Sequence, residues 1–419
     1  MKVNVYGSSL SAWVAAASLA KVGNDVCINE MGAGSIKELN EIGVIRDELG
    51  LLNLLEQQID SGRLVRCSKL ENLADIHWFT LQATEQDLAE QILDKICIIN
   101  PNGLLVINQC NFTVGATVGL QARIGEENDV VYIPDNLQEG AALKGFNRPK
   151  RITLGMDDTR VLIQVKALLR PFSTELDELQ IMSSREAEFT KFAITGMLAV
   201  RLGYINELAN LADQLDVDIS VVQGGMGADP RIGRHYLSPG CGFGGQNFHA
   251  YVEKFASIFQ TEQQQTLLKT VILQNETQKE LPFRKLWQHY HGDLSDKVIA
   301  IWGASFKPGT ASIDNAPSIK NIDALISQNV QVRVHDPEAI DNLRAYYKDQ
   351  PLVSYYDDHM AAIKDVDGLL LLTEWPLYWS PDYDKLVGAM RHPLLVDGRN
   401  ILDKEMLSQY GLIYIGVGR

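Results

Sequence analysis

"MKVNVYGSSLSAWVAAASLAKVGNDVCINE", Met1 to Glu30, decides the fold. Val3 to Tyr6 form a short apolar run of strand type, and Ala12 to Lys21 an alanine-rich helical stretch. Asp25 to Asn29 form a second strand run that ends on the acid Glu30. Strand, tight turn at Gly7, helix and strand in so short a span predict the first βαβ unit of a doubly wound sheet.

Further strand runs lie at Ile76 to Leu81, Gly103 to Asn108 and Asp129 to Pro134, with helical segments between them, and the pattern runs out near Arg151 to Gly155. Arg185 to Leu215 then keeps one helical period without proline, too long for a strand crossover. Such a helix suits a spine between domains or a dimer contact. A second helical stretch, Asn247 to Lys279, follows a glycine-rich loop. Strand and turn signals return at Val298 to Trp302, and again in "VQVRVHDPEA" (Val330 to Ala339) and "VDGLLLLTEW" (Val366 to Trp375). The expected fold is therefore α/β, with two doubly wound Rossmann-like domains at 1–182 and 291–419. They are joined by a long helical central region at 183–290 that carries the glycine-rich loop.

Bulk properties narrow the function. A chain of 419 residues is too long for one ordinary core. With 46% hydrophobic and 22% charged residues it has the composition of a soluble globular protein. The net charge of −15 and the lack of a Lys/Arg run argue against a nucleic-acid partner. The five cysteines (Cys27, Cys67, Cys97, Cys110 and Cys241) are odd in number and form no CxxC pair, so a reduced protein without a zinc site or other metal is expected. Neither a leader pattern at Met1 nor a window of roughly 18 apolar residues is present. The expectation is a cytoplasmic protein with no membrane partner.

"SPGCGFGGQNFHAY", Ser238 to Tyr251, has the look of an anion-binding loop, because exposed backbone N–H groups beside Lys or Arg suit a phosphate. It belongs to an ordered set of segments. These are "EFTKFAITGMLAVRLGYINELA" (Glu188 to Ala209), "DPRIGRHYLSPGCGFGG" (Asp229 to Gly245), "ASFKPGT" (Ala304 to Thr310), "LLTEWPLYW" (Leu371 to Trp379) and "VDGRNIL" (Val396 to Leu402). In that order and spacing they resemble the nucleotide-sugar (UDP-glucose/GDP-mannose) dehydrogenase family over essentially the whole chain.

The resemblance implies a nucleotide sugar as ligand, NAD as cofactor, a homodimer built on the central helices, and a place in polysaccharide biosynthesis. Members of that family oxidise a sugar C6 alcohol to a carboxylate in two NAD turnovers, a thiol holding the aldehyde level as a covalent adduct.

Carried onto this chain, the family pattern assigns the nucleotide sugar to Lys191, Arg231, Tyr236, Phe243, Gly244, Lys307 and Arg399. These types suit such a ligand on physical grounds too, since two phosphates, a planar base and hydroxyls call for cations, aromatic rings and close backbone. The chemistry side departs from the family. Asn247 stands where the thiol belongs, Ala250 replaces the lysine that follows and Tyr251 the catalytic aspartate, while Thr195 replaces the asparagine that orders a water. An amide forms no thioester. Cys241 lies six residues before the expected thiol and is expected to fill a turn. Asp135, matching the family's acid, is left with Lys191 as the candidate general acid–base pair.

The cofactor side departs as well. The first turn, Gly7-Ser-Ser9-Leu-Ser-Ala12, keeps Gly7 and Ala12, with Glu30 placed for the ribose, but Ser9 adds a Cβ where a diphosphate passes. Cys110 to Thr113 replaces the loop beside the nicotinamide, and Asp314 stands where an arginine approaches the diphosphate, which makes a repulsive contact. NAD is thus expected to bind weakly or not at all. Three readings stay open: a nucleotide-sugar binder without the four-electron oxidation, an active oxidoreductase using thiol-free chemistry, and a structural remnant without a ligand.

Overall fold

The computed structural model describes residues 1–30, 38–46, 48–67, 74–173, 179–258 and 266–419. The chain divides into two compact units, Met1–Ala193 and Ile194–Arg419. Each is built on its own sheet.

Among the described residues the first unit has eight strands: β1 (Lys2–Tyr6), β2 (Asp25–Asn29), β3 (Leu64–Cys67), β4 (Ile76–Phe79), β5 (Leu105–Asn108), β6 (Asp129–Tyr132), β7 (Ile152–Gly155) and β8 (Leu179–Met182). Their order is β3-β2-β1-β4-β5-β6-β7-β8, parallel throughout except at β6 and β7. Val5 of β1 lies in register with Ile28 of β2 and Trp78 of β4, so the order reverses at β1, the crevice where such sheets take ligands. Apolar layers cover both faces. Trp13, Trp78, Ile28 and Ile107 belong to one, and Tyr6, Phe79, Ile92 and Val106 to the other. Burial on both sides explains why these strands are nearly continuous apolar runs.

Alanine-rich sequence makes the helix Leu10–Lys21, which Ser9 caps by accepting from Ala12 N, and Gly23 (φ +99°) follows its C-cap. Every residue from Ala12 to Ala20 is buried, so the small side chains let the helix lie close on the sheet. The turn before it needs glycine: Gly7 sits at φ +138°, and a Cβ there would fall 2.6 Å from Thr80 O.

Strands β9 (Val298–Trp302), β10 (Gln331–His335), β11 (Val353–Tyr355), β12 (Gly368–Leu371), β13 (Leu394–Asp397) and β14 (Ile413–Ile415) build the second sheet. All its pairs are parallel, in the order β11-β10-β9-β12-β13-β14. The reversal now falls at β9.

The long helix spans Ser184–Leu215 and opens on a reciprocal cap in which Glu186 accepts from Ser183 N at 2.9 Å and Ser183 Oγ from Glu186 N at 3.4 Å. Two of its glycines are packing positions. A Cβ at Gly196 would meet the Phe255 ring at 3.2 Å, and one at Gly203 would meet Val271 at 3.3 Å. Asn247 to Lys279, expected as one helical stretch, holds two helices, Gln246–Ile258 and Leu267–Lys279, with 259–265 outside the described residues. The sequence reading also passed over the helix Ile219–Ala228, whose glycines mask its period although Asp218 caps it.

The expectation of an all-reduced chain is corrected. Cys27 on β2 and Cys67 on β3 form a disulfide, 40 residues apart in sequence, while Cys97, Cys110 and Cys241 are free. The parallel register sets Cys27 against Val65 and Asn29 against Cys67, which brings the two thiols to the same face two positions apart. Only strand pairing reveals that, and β3 carried no clear strand signal. Among the described residues, no helix is long and apolar enough to cross a membrane.

Candidate functional site

In the first unit the turn after β1 presents open donors. Gly7 N donates to Asn29 O at 3.1 Å, and Ser9 Oγ donates to Thr80 O at 3.1 Å while accepting from Ala12 N. No acceptor among the described residues takes the N–H groups of Ser8, Ser9, Leu10 or Ser11. Four such donors at the start of a helix suit an anion. Glu30, at the end of β2, receives both Nε and Nη2 of Arg66 on one oxygen, each at 2.5 Å. The Arg66 guanidinium lies 5.5 Å from the Trp13 ring centre.

The same turn reaches the candidate acid–base pair. Ser11 Oγ donates to Asp135 Oδ2 at 2.6 Å, and Leu137 N to Oδ1 at 3.1 Å. Burial raises the Asp135 pKa, opposed by the Ser11 bond, the charge of Lys191 and the Leu137 N–H. Lys191, on the long helix, donates from Nζ to Asn136 Oδ1 at 3.1 Å. Burial lowers its pKa, opposed by the charge of Asp135. Both shifts favour the neutral forms.

Glu188, one turn earlier on the same helix, accepts from Gly115 N at 2.5 Å, Thr117 N at 2.8 Å and Thr117 Oγ1 at 2.6 Å, and so fixes the chain just beyond Cys110 to Thr113. Sequence reasoning missed Ser11. Its signal was a hydroxyl in the first turn of a helix whose run from Ala12 to Ala17 is alanine and bulk apolar residues.

In the second unit the glycine-rich loop is held mainly by amide side chains. Asn206 Oδ1 accepts from Gly240 N at 2.9 Å, and Gln278 Nε2 donates to Gly240 O at 2.8 Å. Asn275 brackets Phe243, accepting from its N at 2.8 Å and donating to its O at 3.0 Å. Cys241 N and Gly245 N donate to Gly398 O and Asp314 O, each at 2.8 Å.

The glycines close onto the protein itself. A Cβ at Gly244 would lie 2.6 Å from Asn315 O, one at Gly245 2.8 Å from the Phe306 ring, and one at Gly242 2.9 Å from Asn275 Oδ1. Beneath the loop, fully buried Lys279 donates to Glu276 Oε1 at 2.5 Å and Asn315 Oδ1 at 2.6 Å.

The aromatic positions come together through a residue that the sequence did not single out. Phe248 stacks on Tyr236 at 6.4 Å and meets Phe243 edge-on at 5.1 Å. Tyr236 holds a left-handed backbone (φ +57°), which costs of order 1 kcal/mol in a bulky residue and ties its ring to this place.

Arg399 donates from Nε to Leu372 O at 2.7 Å and from Nη1 to Gly242 O at 3.2 Å, and pairs with Glu374 at 3.1 Å. Lys307 is half-buried with Nζ 5.4 Å from the Phe306 ring centre. Arg231 is set differently: its side chain is 87% exposed and engages Asp229 at 2.7 and 3.0 Å.

Asn247 is exposed in the first turn of the helix Gln246–Ile258, with Ala250 and Tyr251 further along it. Thr195 is buried on the long helix. Cys241 is buried, its Sγ turned toward Leu372 O at 3.8 Å, and burial pushes its thiol up.

Sequence models of the UDP-glucose/GDP-mannose dehydrogenase family match three stretches: its NAD binding domain at 1–173, its central domain at 185–277 and its UDP binding domain at 300–404. The chain is 34% identical to a UDP-glucose 6-dehydrogenase of Pseudomonas aeruginosa, over 100% of this chain and 98% of that protein. It is 29% identical to a UDP-glucose 6-dehydrogenase of Rhizobium meliloti over the full length of both. Among solved structures, a UDP-glucose dehydrogenase from Pyrobaculum islandicum superposes with a TM-score of 0.83 at 27% identity, covering 100% of this chain and 97% of that one.

Proposed function

Because the chain belongs to the UDP-glucose/GDP-mannose dehydrogenase family, we propose that it binds a nucleotide sugar but does not complete the thiol-dependent four-electron oxidation. One observation carries this reading. Carried over from the family pattern, Asn247 stands where the thiol belongs, and the loop's one cysteine, Cys241, is buried with its pKa raised, so the loop offers no thiolate to hold an aldehyde. The ligand is assigned to the rings of Tyr236, Phe243 and Phe248, with Lys307 and Arg231 as cations. Gly244 and Arg399 shape the loop from behind.

A second reading, one two-electron oxidation, is favoured by the open turn of the first unit. Ser8 to Ser11 offer donors suited to a diphosphate, and Glu30 stands at the end of β2, where the family pattern places the ribose. NAD would supply a hydride acceptor there. The Asp135/Lys191 pair would take the hydroxyl proton, with Ser11 orienting the Asp135 carboxyl group.

A homodimer is proposed on the long helix, where Ile194, Met197, Tyr204, Leu211 and Leu215 are all exposed, at steps of three, seven, seven and four residues.

Titration of the purified chain with UDP-glucose and with NAD, read as melting temperature, NADH absorbance and product mass, tests both readings. Stabilisation by UDP-glucose without a uronate product is expected. Formation of UDP-glucuronate overturns the first reading. NADH with the sugar stopped at the aldehyde establishes the second.

A further inference from the structure

His289 closes the helix Leu281–His289, and His392 lies in the turn that leads into β13. They are 103 residues apart in sequence, yet their Nε2 atoms are 3.3 Å apart. Two nitrogens bound tetrahedrally to a zinc-class ion at about 2.0–2.1 Å lie about 3.4 Å from one another. The separation of the two nitrogens, with ring centres 5.5 Å apart, is thus close to the spacing that a chelate needs. Tyr290 holds both in place. Its ring is edge-on to His289 at 5.1 Å and 5.8 Å from His392, and its hydroxyl donates to Asp367 O at 2.6 Å. Both imidazoles are half-buried, oriented by protein yet open to an entering ion.

We propose that His289 and His392 form a two-histidine chelate for a divalent ion of the zinc, nickel or copper class. Imidazole favours these ions over magnesium or calcium. The end of a helix adds a favourable partial negative charge. The surrounding charges set the strength: His291 follows on the next turn, Lys297 Nζ lies 5.0 Å from the Tyr290 ring centre, and Arg391 pairs with Asp367 at 3.1 Å. Among the described residues no third His, Cys, Asp or Glu completes a cluster, so water fills the remaining positions. No spacing motif announces such a site, because its halves come from distant segments.

The full chain is titrated with zinc chloride, followed by melting temperature and by calorimetry, with magnesium chloride as control and a chelator to reverse the effect. One zinc ion per chain is expected, and at a hundred times the dissociation constant the folded-to-unfolded ratio rises about a hundredfold. His289→Gln and His392→Gln, each compared with its own metal-free baseline, should both lower zinc affinity at least tenfold. The two variants come from a helix and a turn, so failure of one to fold leaves the other informative. No zinc response in the parent chain, or full affinity in either variant, would reduce the pair to an imidazole–imidazole hydrogen bond and overturn the proposal.

Discussion

Gly7 at the end of β1 and Gly303 at the end of β9 leave their sheets alike. Gly7 N donates to Asn29 O at 3.1 Å and Gly303 N to His335 O at 2.9 Å. An added Cβ would meet Thr80 O at 2.6 Å in the first sheet and Thr373 N at 2.6 Å in the second. The next strand then ends in an acid in each, Glu30 and Asp336, and there the likeness stops.

Asp336 turns back into its own turn. Its Oδ2 accepts from Ala304 N at 2.7 Å, Ser305 N at 2.9 Å, Ser305 Oγ at 3.0 Å and Trp375 Nε1 at 3.1 Å, and its Oδ1 from Glu338 N and Ala339 N. Glu30 instead takes Arg66, which leaves the N–H groups of Ser8 to Ser11 open. One architecture thus satisfies its turn internally, and the other leaves the donors of its turn open. The second sheet receives the glycine-rich loop at this edge, through Cys241 N to Gly398 O.

The shared feature carries the largest expected effect. Gly7→Ala and Gly303→Ala each force a side chain into positive φ and against fixed atoms of a neighbouring strand end, at a cost of about 4 kcal/mol of unfolding free energy. Urea denaturation measures it. A loss below about 1 kcal/mol in either variant would mean that the two turns are not built alike.

The acids should then separate the turns. Asp336→Asn leaves buried donors short of an acceptor and is expected to cost about 3 kcal/mol, whereas Glu30→Gln disrupts one part-buried ion pair and should cost about 1 kcal/mol. Equal losses in urea would break the comparison.

Each sheet also buries a histidine–tyrosine pair: His77 Nδ1 with the Tyr6 hydroxyl at 2.9 Å, and His335 Nδ1 with the Tyr378 hydroxyl at 2.7 Å. Burial lowers both histidines, His77 to about 4. A folded pKa below the unfolded value of about 6.5 means that stability is complete above that value and is lost as pH falls toward the folded one. For His77 the loss between pH 7 and pH 5 is about 2 kcal/mol. Unfolding free energies at the two pH values should therefore converge in His77→Gln, and a parent chain equally stable at both would remove the buried neutral imidazole from the account.

Much of the fold was legible because both faces of each sheet are buried, which leaves apolar runs such as Val3 to Tyr6 and Val298 to Trp302. Short or exposed edge strands such as β3 and β8 left no such run. The residue type at Asn247 could be read directly from the sequence. What the glycines of the loop approach could not. Gly244 admits Asn315 O, a contact made by a segment 71 residues further along the chain. Ser11 and Phe248 escaped for the same reason, since their partners Asp135, Tyr236 and Phe243 are brought to them by folding.

The smallest expected effect is the one that bears most directly on the open turn. Ser9 has ordinary extended dihedrals (φ −73°, ψ 167°), so no strain keeps it there, and its hydroxyl already serves Thr80 O and Ala12 N. Replacing it by glycine removes the Cβ beside the open N–H groups and substitutes a residue that costs a capping position only a few tenths of a kcal/mol. Ser9→Gly should therefore leave stability within about 0.5 kcal/mol of the parent while strengthening NAD binding by about 1 kcal/mol, roughly fivefold. Thermal shift against NAD concentration measures both quantities in one experiment. An unchanged affinity would mean that Ser9 is no obstacle and that any weakness toward NAD lies elsewhere. A gain would locate it in one β-carbon and mark the first turn as a dinucleotide site still close to working order.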